Sequence, residues 1–222
     1  EFQFTVSLFS ESAFAVNSFI EGLHEALPGS AISVNFAMRL LWNIYHHPYY
    51  NKRITSEALS RGDEKTVSKI DELDKMFLIY YSANADMPIV KVARELGASE
   101  ATLRVRLKKL IDQRIVIGMI YHVNWNLCGH LPARVLISSK PSSAEFEKKI
   151  KKFAALDHRV TEYVKCLGTW DTEINFHVEN SYETGQFIQM LYEHFADSIY
   201  ALKSVGEVAV HKLHRFPQDS LR

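Results

Sequence analysis

The chain has 222 residues, with 26 basic and 26 acidic side chains, a formal net charge of zero, 47% hydrophobic and 23% charged residues. Zero net charge excludes a binder that holds polyanions through bulk charge, so any nucleic-acid surface must be local; the composition is that of a water-soluble globular chain of one to three domains. No apolar run approaches the roughly 20 residues that span a bilayer, and the opening "EFQFTVSLFS" lacks the basic and long apolar regions of a signal peptide.

The first element alternates Phe2, Phe4 and Val6, the period-two pattern of a strand with one buried face. A serine then introduces a helix carrying Phe19, Ile20, Leu23 and Glu25, and a long strand follows toward His46-His47-Pro48. The same order returns at Glu173–Pro217, where Ile174, Phe176 and Val178 alternate and Phe187, Ile188, Leu191 and Glu193 keep the helical spacing. We read this as an internal repeat. The second copy is preceded by a strand (133–139), a helix (142–156) and a strand (160–167), which completes a βαββαβ unit over 131–217 with a short tail at 218–222. The first copy, residues 1–50, has only the last three elements. It reads as the back half of a similar domain, its missing strands supplied by upstream sequence or by a partner chain.

Residues 51–69, "NKRITSEALSRGDEKTVSK", are polar and read as a linker with room for a short helix. A helical segment follows. Leu73, Phe77 and Tyr80 or Tyr81 are helically spaced. "PIVKVARELGA" begins with Pro88 in a first-turn position and stops at Gly97, and "SEATLRVRLKKLIDQ" opens on Ser99 as an N-cap. "IVIGMIYHVNWN" reads as two short strands. Three helices and a two-stranded wing over 70–130 make a winged helix-turn-helix.

The third helix carries the candidate chemistry. At about 100° per residue, Leu103, Leu107, Leu110 and Ile111 form the core face. Ala101, Thr102, Val105, Lys108 and Lys109 point outward, with Arg104 and Arg106 on the flanks. Pro88–Gly118 holds 7 basic and 3 acidic residues, a local charge of +4 within a neutral chain. A basic pair on a helix usually marks a solvated face, but its place on the third helix of a tri-helical unit favours a groove-reading role. Thr102, Val105 and Lys109 would then read base edges, while Ser99, Arg104, Arg106 and Lys108 would hold phosphates.

"LGASEATLRVRLKKL" (Leu96–Leu110) resembles the helix-turn-helix of the Lrp/AsnC (feast/famine) regulators, with matches at Leu96, Gly97, Ser99, Thr102, Leu103, Arg106, Leu107 and Leu110. "KIDELDKMFLIYY" resembles the family's first helix. "NWNLCG" resembles the segment after its wing, with Trp125 where proline is usual, and Gly168-Thr169-Trp170-Asp171 resembles a turn of its effector and assembly (RAM) domain. The resemblance implies an α+β chain, a winged helix-turn-helix followed by a ferredoxin-like βαββαβ RAM-type domain and preceded by half of a second one. It further implies a cytoplasmic, non-enzymatic transcription regulator that binds double-stranded DNA, forms dimers or higher oligomers through RAM-type domains, and senses an effector such as an amino acid at Gly168, Thr169, Trp170 and Asp171. Arg114 stands where the family usually has glycine, so the turn there must be built differently, and Thr169 replaces an acidic residue.

Cys128 and Cys166 have no metal-ligand spacing and read as small core residues in a reducing compartment. His211 and His214 lie three apart on a strand, on opposite faces, so they do not jointly bind a metal; no metal or cofactor is expected. Asp171 could hold an effector's ammonium group or cap its own turn. Two other readings stay open: a siroheme-decarboxylase-like tetrapyrrole enzyme, and an assembly or sensor module that has lost DNA binding.

Overall fold

The computed structural model describes residues 5–10, 12–29, 33–45, 58–61, 69–118, 120, 123–140, 144–207, 209–210 and 216. They fall into two units, one containing 1–35 and 70–106, the other 36–69 and 107–212.

In the first unit, α1 (Ala13–Ala26) starts at Ser12, whose hydroxyl accepts from the Ala15 N–H at 3.2 Å. It buries none of its residues; Phe14 is exposed and Ile20 and Leu23 are half-buried. Next, α2 (Glu72–Ala83) is fixed by a reciprocal cap: Asp71 accepts from the Asp74 N–H, and the Asp74 carboxylate accepts from the Asp71 N–H. Then come α3 (Ile89–Glu95), with Pro88 just before its first turn, and α4 (Glu100–Asp112). Gly97, at φ 62°, supplies the left-handed residue between them. Phe77, Leu78, Val92, Ala93 and Leu103 are the buried apolar side chains of this tri-helical unit.

The second unit is built on one sheet. Its βαββαβ part runs β3 (Leu131–Ser139), α5 (Ala144–Leu156), β4 (Val160–Gly168), β5 (Thr172–Val178), α6 (Ser181–Phe195) and β6 (Ile199–Gly206). β3 lies between β5 and β6 and pairs antiparallel with both, the ferredoxin-like order. Alternation places Val135, Ile137, Ile174, Phe176 and Tyr163 on the face covered by Phe146 and Ile150 of α5 and Phe187 and Leu191 of α6. Phe176 stacks on Phe187 with ring centroids 4.0 Å apart.

Two more strands widen this sheet. β1 (Ala37–Tyr45) pairs antiparallel with the edge of β4, and β2 (Ala58–Arg61) pairs with β1, so the full order is β2-β1-β4-β5-β3-β6. A strand therefore stands inside the stretch read as a linker. The first strand expected near Phe4 and Val6 is not formed over the described residues 5–10. In the second copy β3 pairs with both flanking strands. Among the described residues nothing fills that place in the first segment, and its last strand pairs with β4 instead.

The wing also differs from the sequence reading. Of residues 115–124, those described (115–118, 120, 123 and 124) form no strand, and Trp125–Cys128 is a 3-10 turn closed by Gly129 at φ 78°. Arg114 takes the left-handed conformation itself, at φ 57°, and its N–H donates to the Ile111 carbonyl at 2.8 Å. The glycine-type turn is kept without the glycine. Cys166 is buried, its thiol pushed up to about 12 by that burial, but Cys128 is exposed rather than a core residue. His46, His47, His211, His214 and the tail at 218–222 lie outside the described residues. No described helix is long and apolar enough to cross a membrane.

Candidate nucleic-acid interface

α4 is a 13-residue helix whose start is held by Ser99: its hydroxyl accepts from the Thr102 N–H at 3.0 Å and shares a hydrogen bond with the Thr102 hydroxyl at 2.7 Å. Leu103 and Leu110 are fully buried and Leu107 is half-buried, but Ile111, assigned to the same face, is exposed. The outward face carries Ala101 and Thr102, both exposed, and Val105, which is 70% exposed. Lys109 is half-buried beside it.

The flanking cations divide into two kinds. Arg104 donates to Glu100 one turn back at 2.7 Å, and Lys108 donates to Asp112 one turn on at 3.0 Å. Both are surface i,i+4 pairs with the cation well exposed, 63% and 78%. Such pairs contribute at most about 1 kcal/mol, so either cation can exchange its carboxylate for a phosphate at small cost.

Arg106 is different. Its guanidinium donates to both Asp71 oxygens at 2.7 Å and to Asp74 at 2.8 Å, and the Asp74 side chain is completely buried. The hydrogen bonds that Arg106 donates to Asp71, then to Asp74, raise its pKa above the usual value. This arginine ties the recognition helix to the capped start of α2. That moves it from the phosphate-holding set to the scaffold, a role no helical wheel reveals. Arg106→Ala should therefore lower stability by roughly 2 kcal/mol, because a buried carboxylate loses its charged donor. The urea midpoint measures this; an unchanged midpoint would remove Arg106 from the scaffold.

The turn read as an effector site is also occupied by the protein itself. Gly168, at φ 149°, lies against the backbone of Phe36 and Ala37. The Thr169 N–H donates to the Phe36 carbonyl at 2.8 Å, and its hydroxyl accepts from the Phe36 N–H at 3.3 Å. Asp171 accepts from the backbone N–H of Ser139 at 2.5 Å and from its hydroxyl at 2.8 Å. Trp170 is half-buried. The capping alternative for Asp171 fits these contacts, both of which are made through Oδ2. The sequence reading also passed over a polar group on the other sheet face, where buried Glu173 pairs with Arg39 at 3.0 Å and Arg134 at 3.2 Å. No sequence signal marks it: Glu173 is out of phase with Ile174, Phe176 and Val178 and so reads as outward-facing.

The chain matches the winged helix-turn-helix DNA-binding family model over residues 70–117. It is 34% identical over 92 residues to the transcriptional regulator LysM of Saccharolobus solfataricus, covering 40% of this chain and 63% of that protein. It is 28% identical over 138 residues to the regulator Ptr1 of Methanocaldococcus jannaschii, covering 62% and 86%. Among solved structures, E. coli AsnC superposes with a TM-score of 0.52 at 22% identity, over 66% of this chain and 97% of that one. A transcriptional regulator from Neisseria meningitidis, solved with L-Met, superposes with a TM-score of 0.59 at 16% identity, over 69% and 100%. These structural likenesses carry the fold: a winged helix-turn-helix joined to a ferredoxin-like unit.

Proposed function

We propose that the chain is a member of the Lrp/AsnC family, a sequence-specific DNA-binding transcription regulator working in the cytoplasm and not an enzyme; the helix-turn-helix match and the regulators it resembles support this. The observation that carries this reading is the outward face of α4: a widely exposed valine one turn from Thr102, flanked by Arg104 and Lys108, whose partners Glu100 and Asp112 are exchangeable surface carboxylates. An apolar side chain so exposed has no folding role on a helix whose leucines are buried on the other side, and it suits a thymine methyl. Thr102, Val105 and Lys109 read base edges; Ser99, Arg104 and Lys108 hold phosphates.

The ferredoxin-like unit assembles dimers or higher oligomers, which sets two recognition helices about one DNA turn apart. That residues 1–50 are a second RAM-type half-unit rests on the sequence repeat alone, since β1 joins the sheet of the ferredoxin-like unit instead. Sensing of an amino acid or related metabolite is extended to this chain from the L-Met-bound relative. The engaged contacts of Thr169 and Asp171 argue that such a ligand binds elsewhere than at their side chains.

Fluorescence anisotropy on DNA selected from a random pool, across a salt series, tests the reading. Arg104→Ala/Lys108→Ala should flatten the dependence of log affinity on log salt by about 2 units, since each phosphate contact contributes about 0.9. A parent-like slope would remove this helix from the DNA surface.

A further inference from the structure

The widening of the sheet by β1 and β2 creates a cavity that the DNA-reading role does not use. It lies beside α5 and has a volume of about 370 Å³, in the range of small-metabolite sites. Its floor is Asn43, Tyr45 and Ser60, and its rim is Lys148, Lys151 and Lys152. The three lysines sit at i, i+3 and i+4 of α5 and so share one helix face. None of them has an ion-pair partner among the described residues, whereas their neighbours Lys149 and Lys165 are paired, with Glu145 and Glu147. Among the described residues the lining contains no acid.

The floor is unusual in a second way. Asn43 is fully buried. The Ser60 hydroxyl donates to its Oδ1 at 2.7 Å, which fixes the amide with Nδ2 as the remaining donor. That Nδ2 and the Tyr45 hydroxyl are both buried and face one another without closing a well-formed hydrogen bond. A buried donor left in this state costs about 1–3 kcal/mol, a cost that persists in native proteins mostly where a ligand or water supplies the acceptor.

The geometry points to a binding site for a small dianion, a phosphate- or dicarboxylate-bearing metabolite. Its charged oxygens lie between the three α5 lysines, and one acceptor atom reaches the Asn43 amide and the Tyr45 hydroxyl. Exposed lysines alone hold an anion weakly; the buried amide makes the site selective. The site stands on the far side of β1 from the Gly168 turn in register, since Asn43 pairs with Tyr163 and Ala37 with Gly168.

Titration calorimetry of the full chain with pyrophosphate, at constant ionic strength set with chloride, tests this. Saturable one-to-one binding is expected, weakened about tenfold or more in Lys151→Ala/Lys152→Ala and unchanged in Lys149→Ala. Asn43→Leu should also weaken it. Should that variant fold poorly, Ser60→Ala, which releases the amide from its fixed orientation, serves in its place and should weaken binding several-fold. No saturable binding, or equal loss in Lys149→Ala, overturns the site. So does a result in which the lysine pair affects only DNA affinity, which would assign these cations to duplex phosphates.

Discussion

A chain carrying Val105→Glu should bind its selected DNA about a hundredfold more weakly while unfolding at the parent temperature. Stability should not move, because Val105 is 70% exposed and glutamate is the better helix former. Binding should collapse for two reasons. The methyl contact is lost, and a carboxylate enters the groove among phosphates, where like charges brought together cost several kcal/mol. Val105→Ala separates the two effects, because it removes only the methyl groups and should cost a few-fold. Anisotropy at one fixed salt concentration and a thermal melt make the measurement. Parent-like affinity in Val105→Glu would place the DNA on another surface.

The elements that sequence made legible are those whose signals are local. Ser12, Asp71 and Ser99 start helices through their own side chains, and alternation marks β3, β4 and β5. The ferredoxin-like order followed from element sequence alone. What escaped depends on distant partners. Ala58–Arg61 becomes a strand only because β1 offers an unpaired edge, and nothing in its polar neighbourhood announces that. Arg104 and Arg106 look equivalent on a helical wheel. The capped start of α2 lies beside one of them and turns it into a scaffold residue. Asp171 reads equally as an effector ligand or a turn cap, and its partner Ser139 is 32 residues away in sequence, beyond any local pattern. Ile111 was assigned inward by angle, yet burial near a helix end depends on what packs there. Asn43 gave no signal at all: a polar residue among apolar ones in a strand reads as outward-facing, and only the added strand β2 and helix α5 reveal the cavity it lines.

The ladder that attaches β1 to the ferredoxin-like unit begins at one close approach, and Gly168→Ala should loosen it at a cost of roughly 3 kcal/mol. A Cβ built there would overlap the Phe36 carbonyl oxygen and lie 2.7 Å from the Ala37 Cα, both backbone atoms that cannot rotate away. Its φ of 149° is also a conformation that side chains rarely adopt. Overpacking and backbone strain each cost about 1–3 kcal/mol. The damage should be local. The register from Ala37–Gly168 to Ile44–Glu162 starts at this glycine, and the Thr169 bonds to Phe36 flank it. Amide hydrogen exchange should therefore show Arg39 and Trp42 losing protection, while Val135 and Ile174, paired in the interior of the sheet, keep theirs. The Asn43 cavity would open with the strand, so pyrophosphate binding should fall in the same variant without any change to a lysine. Protection of the β1 amides at the parent level would mean that the strand is held by its other contacts and that the glycine is dispensable.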